Sequence, residues 1–283
     1  MAVQNFIKTV WIQSLIESLK KTHVFASVAF QGYQGQAQSL GDKVKIMQIS
    51  DITINEYTKD STISVQDIDD AASELTLDQA YYFAFKANDI EAIQQKPMLL
   101  NQATNNAAYG FRDEVDTYMA GLYTQAGHTS YSTGTTPWDV TSLNVEDVLL
   151  DIKEKLARVS ANGRFIIVPE WFHNKLILAG LTDKADNNAI FTNGMVGRAL
   201  GFDILLSENV SASTGAPTWD QTRVIAGVRD QSFAFFDNVV NIEAYRPEAK
   251  FEDAVKGLYL FGGKILRPDM TCVAYVDKTA EAA

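Results

Sequence analysis

The residues with the most chemistry in this chain are its histidines, its single cysteine and its paired carboxylates. His23, His128 and His173 lie far apart in the sequence and in unlike surroundings. A protein zinc site draws on several Cys and His side chains at short, regular spacings. Here there is no HExxH pair and no second cysteine to join Cys272. His173 comes directly after Trp171 and Phe172 and reads as a half-buried packing residue. No GxSxG elbow supplies a serine nucleophile. The run NGMVGRALG, with Gly194, Gly197 and Gly201, fits neither GxGxxG nor the phosphate loop, because no Lys-Ser or Lys-Thr comes after it. Those glycines read as packing and turn positions. The pairs Asp69-Asp70, Asp113-Glu114 and Glu146-Asp147 could supply general acids or oxygen ligands. Adjacent side chains diverge on a helix or strand, however, and a solvated face accounts for each pair. No catalytic constellation is legible, so neither enzyme activity, nor a cofactor, nor a metal is expected.

The charge balance narrows the partners. A net charge of -11 opposes nucleic-acid binding through a broad basic face, which needs clustered Lys and Arg. It equally opposes an anionic membrane surface. No stretch reaches the roughly 20 apolar residues of a membrane span. The opening MAVQNFIKTVWIQSLIESLKK lacks the apolar core and cleavage site of a secretion signal, so a cytoplasmic setting is expected. Asn209-Val210-Ser211 matches a glycosylation sequon, which has no meaning without secretion. A lone cysteine excludes an internal disulfide.

The elements can be read from periodicity. Trp11, Ile12, Leu15, Ile16 and Leu19 form the apolar stripe of an amphipathic helix, and Gly32, Gly35 and Gly41 punctuate the segment beyond it. Residues 1–34 read either as a tether docked on another surface or as a helix packed on its own domain. In residues 43–49, Val44 and Ile46 alternate with Lys43, Lys45 and Met47, and in residues 74–89, Leu75, Leu77, Tyr81, Phe83 and Phe85 alternate with polar or small residues. Both are strand patterns. Between them, residues 51–74 carry seven acidic side chains against Lys59 and have little to bury. A mobile surface loop is the plainer reading; the sharper one is a two-stranded arm that leaves the domain. A lone hairpin is marginal in water, so such an arm needs another surface, and a second copy of the chain is the simplest.

Ala103, Ala107, Phe111, Val115, Tyr118 and Leu122 predict a helix opening at Pro97 and stopping near Gly127, about 30 residues or ~45 Å long. A second helix over residues 145–159 buries Val145, Val148, Leu149, Ile152, Leu156 and Val159, with Asn144 as its cap. Asn162-Gly163 turns the chain into the buried strand RFIIV and the helix that opens on Pro169. Further strands at FDILLSE, TRVIAGV and FAFFD make residues 164–240 a mixed α/β unit. Residues 239–277 are almost wholly strand-like, with Gly262-Gly263 as a turn.

Taken in order, the stretches WIQSLIESLKKTHVFASVAFQGYQG, SLGDKVKIMQISDITINEY, ELTLDQAYYFAFKANDIE, LLNQATNNAAYGFRDEVDTYMAGL, GRFIIVPEWFHNKL, GMVGRALGFDILLSENV and IEAYRPEAKFEDAVKGLYLFGGKILRPDM resemble the major capsid proteins of tailed bacteriophages. Herpesvirus capsids and encapsulin compartments share that shell fold. The resemblance spans essentially the whole chain and rests on the order of several weak motifs. It implies an α+β fold with an N-terminal arm (1–34), an extended β-hairpin loop (35–90), a peripheral domain with a long spine helix (91–163 and 241–283) and an axial α/β domain (164–240).

It further implies a structural subunit that assembles as pentamers and hexamers into an icosahedral shell around double-stranded DNA, bound without sequence specificity. The shell would be built in the host bacterial cytoplasm. A separate scaffolding protein, a portal protein at one vertex and a decoration protein are the other implied partners. Inter-subunit contacts are expected from Trp11, Ile12 and Leu15 of the arm. Others are expected where Asp60, Asp67, Asp69 and Asp70 of the loop, with Lys59, meet Arg246, Lys250 and Lys256 of a neighbour. Some relatives crosslink through a loop lysine; Lys59 has a comparable place, but no partner asparagine or acidic catalyst matches, so no crosslink is expected. An encapsulin-type shell is the rival within the fold, disfavoured by the glycine-rich segment at Gly32 and Gly35. A soluble α/β enzyme with a site invisible in sequence is the rival outside it.

Overall fold

The strand Arg164–Val168 is buried along its whole length, and its side chains alternate between two separate cores, Phe165 and Ile167 in one and Ile166 and Val168 in the other. A strand covered on both faces needs a layer of helix or sheet on each side. The computed structural model supplies both. It describes residues 24–32, 39–49, 54–56, 70–88, 98–130, 137–157, 162–181, 195–210, 222–245 and 252–278. The helices are α1 (Phe25–Val28), α2 (Met98–Gly121), α3 (Val145–Lys155) and α4 (Glu170–Leu178). The strands are β1 (Lys43–Ile49), β2 (Asp70–Thr76), β3 (Gln79–Asn88), β4 (His128–Ser130), β5 (Trp138–Val140), β6 (Arg164–Val168), β7 (Met195–Ala199), β8 (Phe202–Leu206), β9 (Thr222–Val228), β10 (Phe233–Tyr245), β11 (Glu252–Ile265) and β12 (Cys272–Lys278).

Three sheets result. A seven-stranded sheet runs β4-β12-β9-β6-β8-β7, with β5 also on β12; a three-stranded sheet runs β10-β11-β3; β1 and β2 pair antiparallel by themselves. On one face of the large sheet α3 and α4 bury Val148, Leu149, Ile152, Phe172 and Leu176 against Ile204, Val224 and Ala274. On the other face Phe111, Val115 and Met119 of α2 share a core with Phe165 and Ile225 of the large sheet and with Phe233, Tyr259 and Phe261 of the small one. The long helix therefore lies in a layer shared by both sheets. A third, smaller core joins Val44, Ile46, Leu75 and Leu77 of the β1–β2 hairpin to Ala234, Phe236 and Leu260, on the far face of the small sheet.

Several expectations are corrected. The alternating run through residues 74–89 is two strands: β2 pairs with β1, β3 pairs with β11, and the chain changes sheet at Leu77. Leu77 is held there by its N–H donating to the Asp42 carbonyl at 3.0 Å and its carbonyl accepting from Gly41 N–H at 2.8 Å. Gly262 and Gly263 are not a turn; they lie inside β11, because a side chain at Gly262 would collide with the Thr76 carbonyl and one at Gly263 with the Met119 sulfur. The reversal comes later, at the 3-10 turn Pro268–Met270. The regular part of the long helix ends at Gly121 and tightens into a 3-10 turn, Leu122–Gln125. Gly127 instead allows close approach, its N–H donating to the Pro268 carbonyl at 2.8 Å. Asn144 occupies the cap position of α3 but turns its amide backwards, accepting from Thr141 N–H at 2.7 Å and donating to the Asp139 carbonyl at 2.8 Å.

The large sheet draws its elements from widely separated parts of the chain. Strands β4, β5 and β12 and helix α3 belong with the large sheet, and the start of β10 belongs with the small one.

Candidate functional site

Among the described residues, three surfaces carry exposed apolar side chains. The first is the hairpin. Its base is fixed by the buried Val44, Ile46, Leu75 and Leu77, while Lys43 and Lys45 face outward. Lys43 Nζ lies 2.6 Å from Glu74 Oε2, and Lys264 Nζ donates to the Glu74 carbonyl at 3.0 Å. The bond from Lys43 draws the Glu74 carboxyl below its usual range. Farther out, Ile54 is 94% exposed, although a β-branched apolar side chain gains nothing from water.

The second surface is the outer face of the small sheet. Tyr82 on β3 and Leu258 on β11 are register partners there, 78% and 38% exposed, with Ala80 and Ala84 exposed beside them. Along the same face Lys256 Nζ pairs with Glu243 Oε2 at 3.2 Å. The opposite faces of these strands show why the patch exists. Tyr81 stacks on Phe261, and Phe83 packs on Phe111, so the inward positions are filled and the pleat sends Tyr82 out. The third surface is α3, where Leu143 is 93% exposed just before the helix and Leu150 is half-exposed one heptad on.

Most of the expected contact residues, namely Trp11, Ile12, Leu15, Lys59, Asp60, Asp67, Asp69, Arg246 and Lys250, lie outside the described residues. Asp70 opens β2 opposite Ile49 in the two-stranded sheet, and Lys256 sits in β11 of the three-stranded sheet, paired with Glu243.

Groups with chemical potential are absorbed by packing. His173 is buried on α4, and burial lowers its pKa. Cys272 is buried in β12, where loss of solvation, with Asp151 nearby, pushes its thiol up to about 12. Ser130 donates to Asp151 in a short hydrogen bond. Asn209, of the sequon, donates from Nδ2 to Asp113 Oδ1 at 3.0 Å and so ties a 3-10 turn to α2. Among the described residues no group of three or more His, Cys, Asp or Glu side chains could hold a metal, and no helix is long and apolar enough to cross a membrane.

Sequence reasoning missed Tyr82, Leu258 and Ile54 as surface apolar residues, and it missed Asp116, buried in the middle of α2. For Asp116 a signal existed, since it stands next to Val115 and four residues before Ala120, on the edge of the apolar stripe.

The described residues form an α+β fold with a hairpin seated on one face of the small sheet. The family is then explicit: a model described as phage capsid protein matches residues 49–274, and the chain belongs to that family. No curated protein sequence matches it. Among solved structures it is similar to a protein of Mycobacterium phage Che8, at 23% identity and TM-score 0.66 over 89% of this chain and 90% of that one. It is also similar to the capsid of Ralstonia phage GP4, at 14% identity and TM-score 0.64 over 93% and 92%. An encapsulin complex of Synechococcus elongatus PCC 7942 is more distant, at 12% identity and TM-score 0.56 over 87% and 88%. The fold is that of tailed-phage capsid proteins, and the chain is a capsid shell protein.

Proposed function

We propose that this protein self-assembles through hexamers and pentamers into an icosahedral shell that encloses the double-stranded DNA of a tailed phage. The observation that carries this reading is the β1–β2 hairpin: four buried side chains root it on the small sheet, while Ile54 beyond its paired part is left to water. A surface on a second copy would bury it. In this reading residues 1–34 are an arm between subunits and 35–90 the extended loop. The peripheral domain takes 91–163 and 241–283, with α2 and β11, the central strand of the small sheet, and the axial domain takes 164–240, with the central strands β6, β8 and β9 of the large sheet. A net charge of -11 suits a container whose wall must not hold DNA in place.

Scaffolding, portal and decoration proteins are the partners such a shell calls on, with assembly in the host bacterial cytoplasm. The role is structural rather than enzymatic. The acidic loop, with Asp60, Asp67, Asp69 and Asp70, would meet a neighbour's Arg246, Lys250 and Lys256. Because Lys256 already has Glu243, most of that attraction falls to the other two. Reversing Asp69 and Asp70 to Lys tests the pairing, and shells that assemble and resist salt as before would exclude it.

The deciding experiment is light scattering with negative-stain electron microscopy of the full-length protein, alone and with host lysate. Rings or closed shells support the proposal. A strict monomer under both conditions counts against it. The contents of shells from the native source, DNA or enzyme cargo, separate a virion from an encapsulin-like compartment.

A further inference from the structure

Asp116 is the one carboxylate in the described part of α2 that lies in the core, 2% exposed. It is not isolated. Val24 N–H donates to its Oδ2 at 3.3 Å and Phe25 N–H to its Oδ1 at 3.2 Å, so each oxygen holds one backbone amide at the start of α1. The contact joins residues more than ninety positions apart in sequence. The chain just after it is secured differently. Phe30 N–H donates to the Phe233 carbonyl at 2.7 Å, Phe235 N–H to the Phe30 carbonyl at 3.1 Å, and Asp230 N–H to the Val28 carbonyl at 3.0 Å. Those are backbone bonds that no proton can alter. The ring of Phe25, edge-on to Phe233, anchors the turn as well.

We propose that Asp116 is the positioning residue for the N-terminal segment, fixing the point at which residues 1–23 join the body of the protein when it is ionised and loosening that point when it is protonated. The reason is the charge on the acceptor. An ionised carboxylate accepts on both oxygens with its charge behind each bond, whereas a carboxylic acid carries a proton for which Val24 and Phe25 offer no acceptor and accepts from their amides without that charge. Both amides are then held more weakly, and the effect is confined to residues 24 and 25, because the bonds from Val28 onward do not titrate.

The surroundings favour such a switch in mildly acidic conditions. Burial raises the carboxyl to about 6, the two amides and Arg112 pull it down, and Asp113 pushes it up. Across the core, Tyr259 of β11 faces it and donates to Asp237 of β10 at 3.1 Å. The α1 turn itself, FASV, brings no charge; Arg229, a cation on that side, donates to the Ser27 carbonyl at 3.4 Å. Shell formation is not required for this switch, which is tested on the full-length chain in either state.

The test is amide hydrogen exchange resolved over residues 24–36 and 233–236, from pH 7.5 to 5, corrected for intrinsic rates. Opening of residues 24 and 25 that leaves Asp116 in the core removes the two amides that pull its carboxyl down, so it takes up a proton, the reverse of global unfolding, which solvates the carboxyl. Protection at Val24 and Phe25 should then fall toward pH 5 by about tenfold to a hundredfold, the worth of one charge-assisted hydrogen bond, while Phe30 and Phe235 stay unchanged. In Asp116→Asn the same amides should show no pH dependence. Wild-type protection that is flat across this range overturns the proposal, as does a pH dependence retained by the variant. If the variant does not fold, a carbon-detected titration of the Asp116 carboxyl in the wild-type protein decides, since its midpoint must coincide with the loss of protection.

Discussion

Gly262 of β11 lies so close to the carbonyl of Thr76 that no side chain fits between them. This is where the root of the hairpin crosses the small sheet, beside Leu77, Phe236 and Leu260. The neighbour is backbone, which cannot rotate away. Gly262→Ala should therefore cost roughly 1–3 kcal/mol, the usual range for overpacking, read as a lowered denaturant midpoint. Gly257→Ala is the comparison, because the nearest atoms to a side chain there belong to the ring of the half-buried Phe83, which can turn aside. Its loss should be smaller, and equal losses would mean that the Thr76 contact is not what excludes a side chain at Gly262.

Tyr82 and Leu258 test whether the outer face of the small sheet is used. Both are exposed in the subunit, so Tyr82→Asp and Leu258→Asp should change subunit stability by no more than about 0.5 kcal/mol. If a second copy covers the patch, assembly measured by light scattering should fail or need a much higher protein concentration. Normal assembly by both variants would remove this face from the interface.

His173 and Asp116 give stability opposite dependences on pH. Burial lowers the folded pKa of His173 below its usual value of 6.5, so its contribution is complete above that pH and is lost as pH falls through the folded value. Asp116 is raised from 3.8 to about 6, so the folded state binds the proton more tightly; its contribution is complete below about 3.8 and is lost as pH rises to about 6. At 1.36 kcal/mol per unit the Asp116 effect is ~3 kcal/mol. Urea unfolding at pH 4.5 and 7.5 should show wild type losing stability toward pH 7.5 relative to Asp116→Asn, and losing it toward pH 4.5 relative to His173→Gln. A difference that does not vary with pH in either pair would refute the assigned shift.

Cys272 should be inert while the protein is folded. Its thiol is buried and pushed up to about 12, and the thiolate is the reacting form. Iodoacetamide at pH 8 should label it only as fast as the chain unfolds, as read by mass spectrometry. Rapid labelling of native protein would mean that β12 opens locally.

Much of this was legible in the sequence, because periodicity reports which side of an element is apolar. The inward faces of α3, of β6 and of the β1–β2 base can be read from their residues, since Val148, Leu149, Ile152, Val44 and Ile46 recur at the helical or strand interval and water drives them to one side. The family resemblance was equally there to read.

Tertiary structure alone decided which edge each strand pairs with and which positions meet across the core. The apolar alternation runs unbroken through Leu75, Leu77 and Tyr81 while the backbone changes sheet, because side-chain periodicity carries no information about hydrogen-bonding partners. Gly262 looked like a turn because the approach of Thr76 comes from a strand far off in sequence. Asp116 stands at the edge of an apolar stripe, but the two amides on its oxygens come from Val24 and Phe25, and only the fold brings them there.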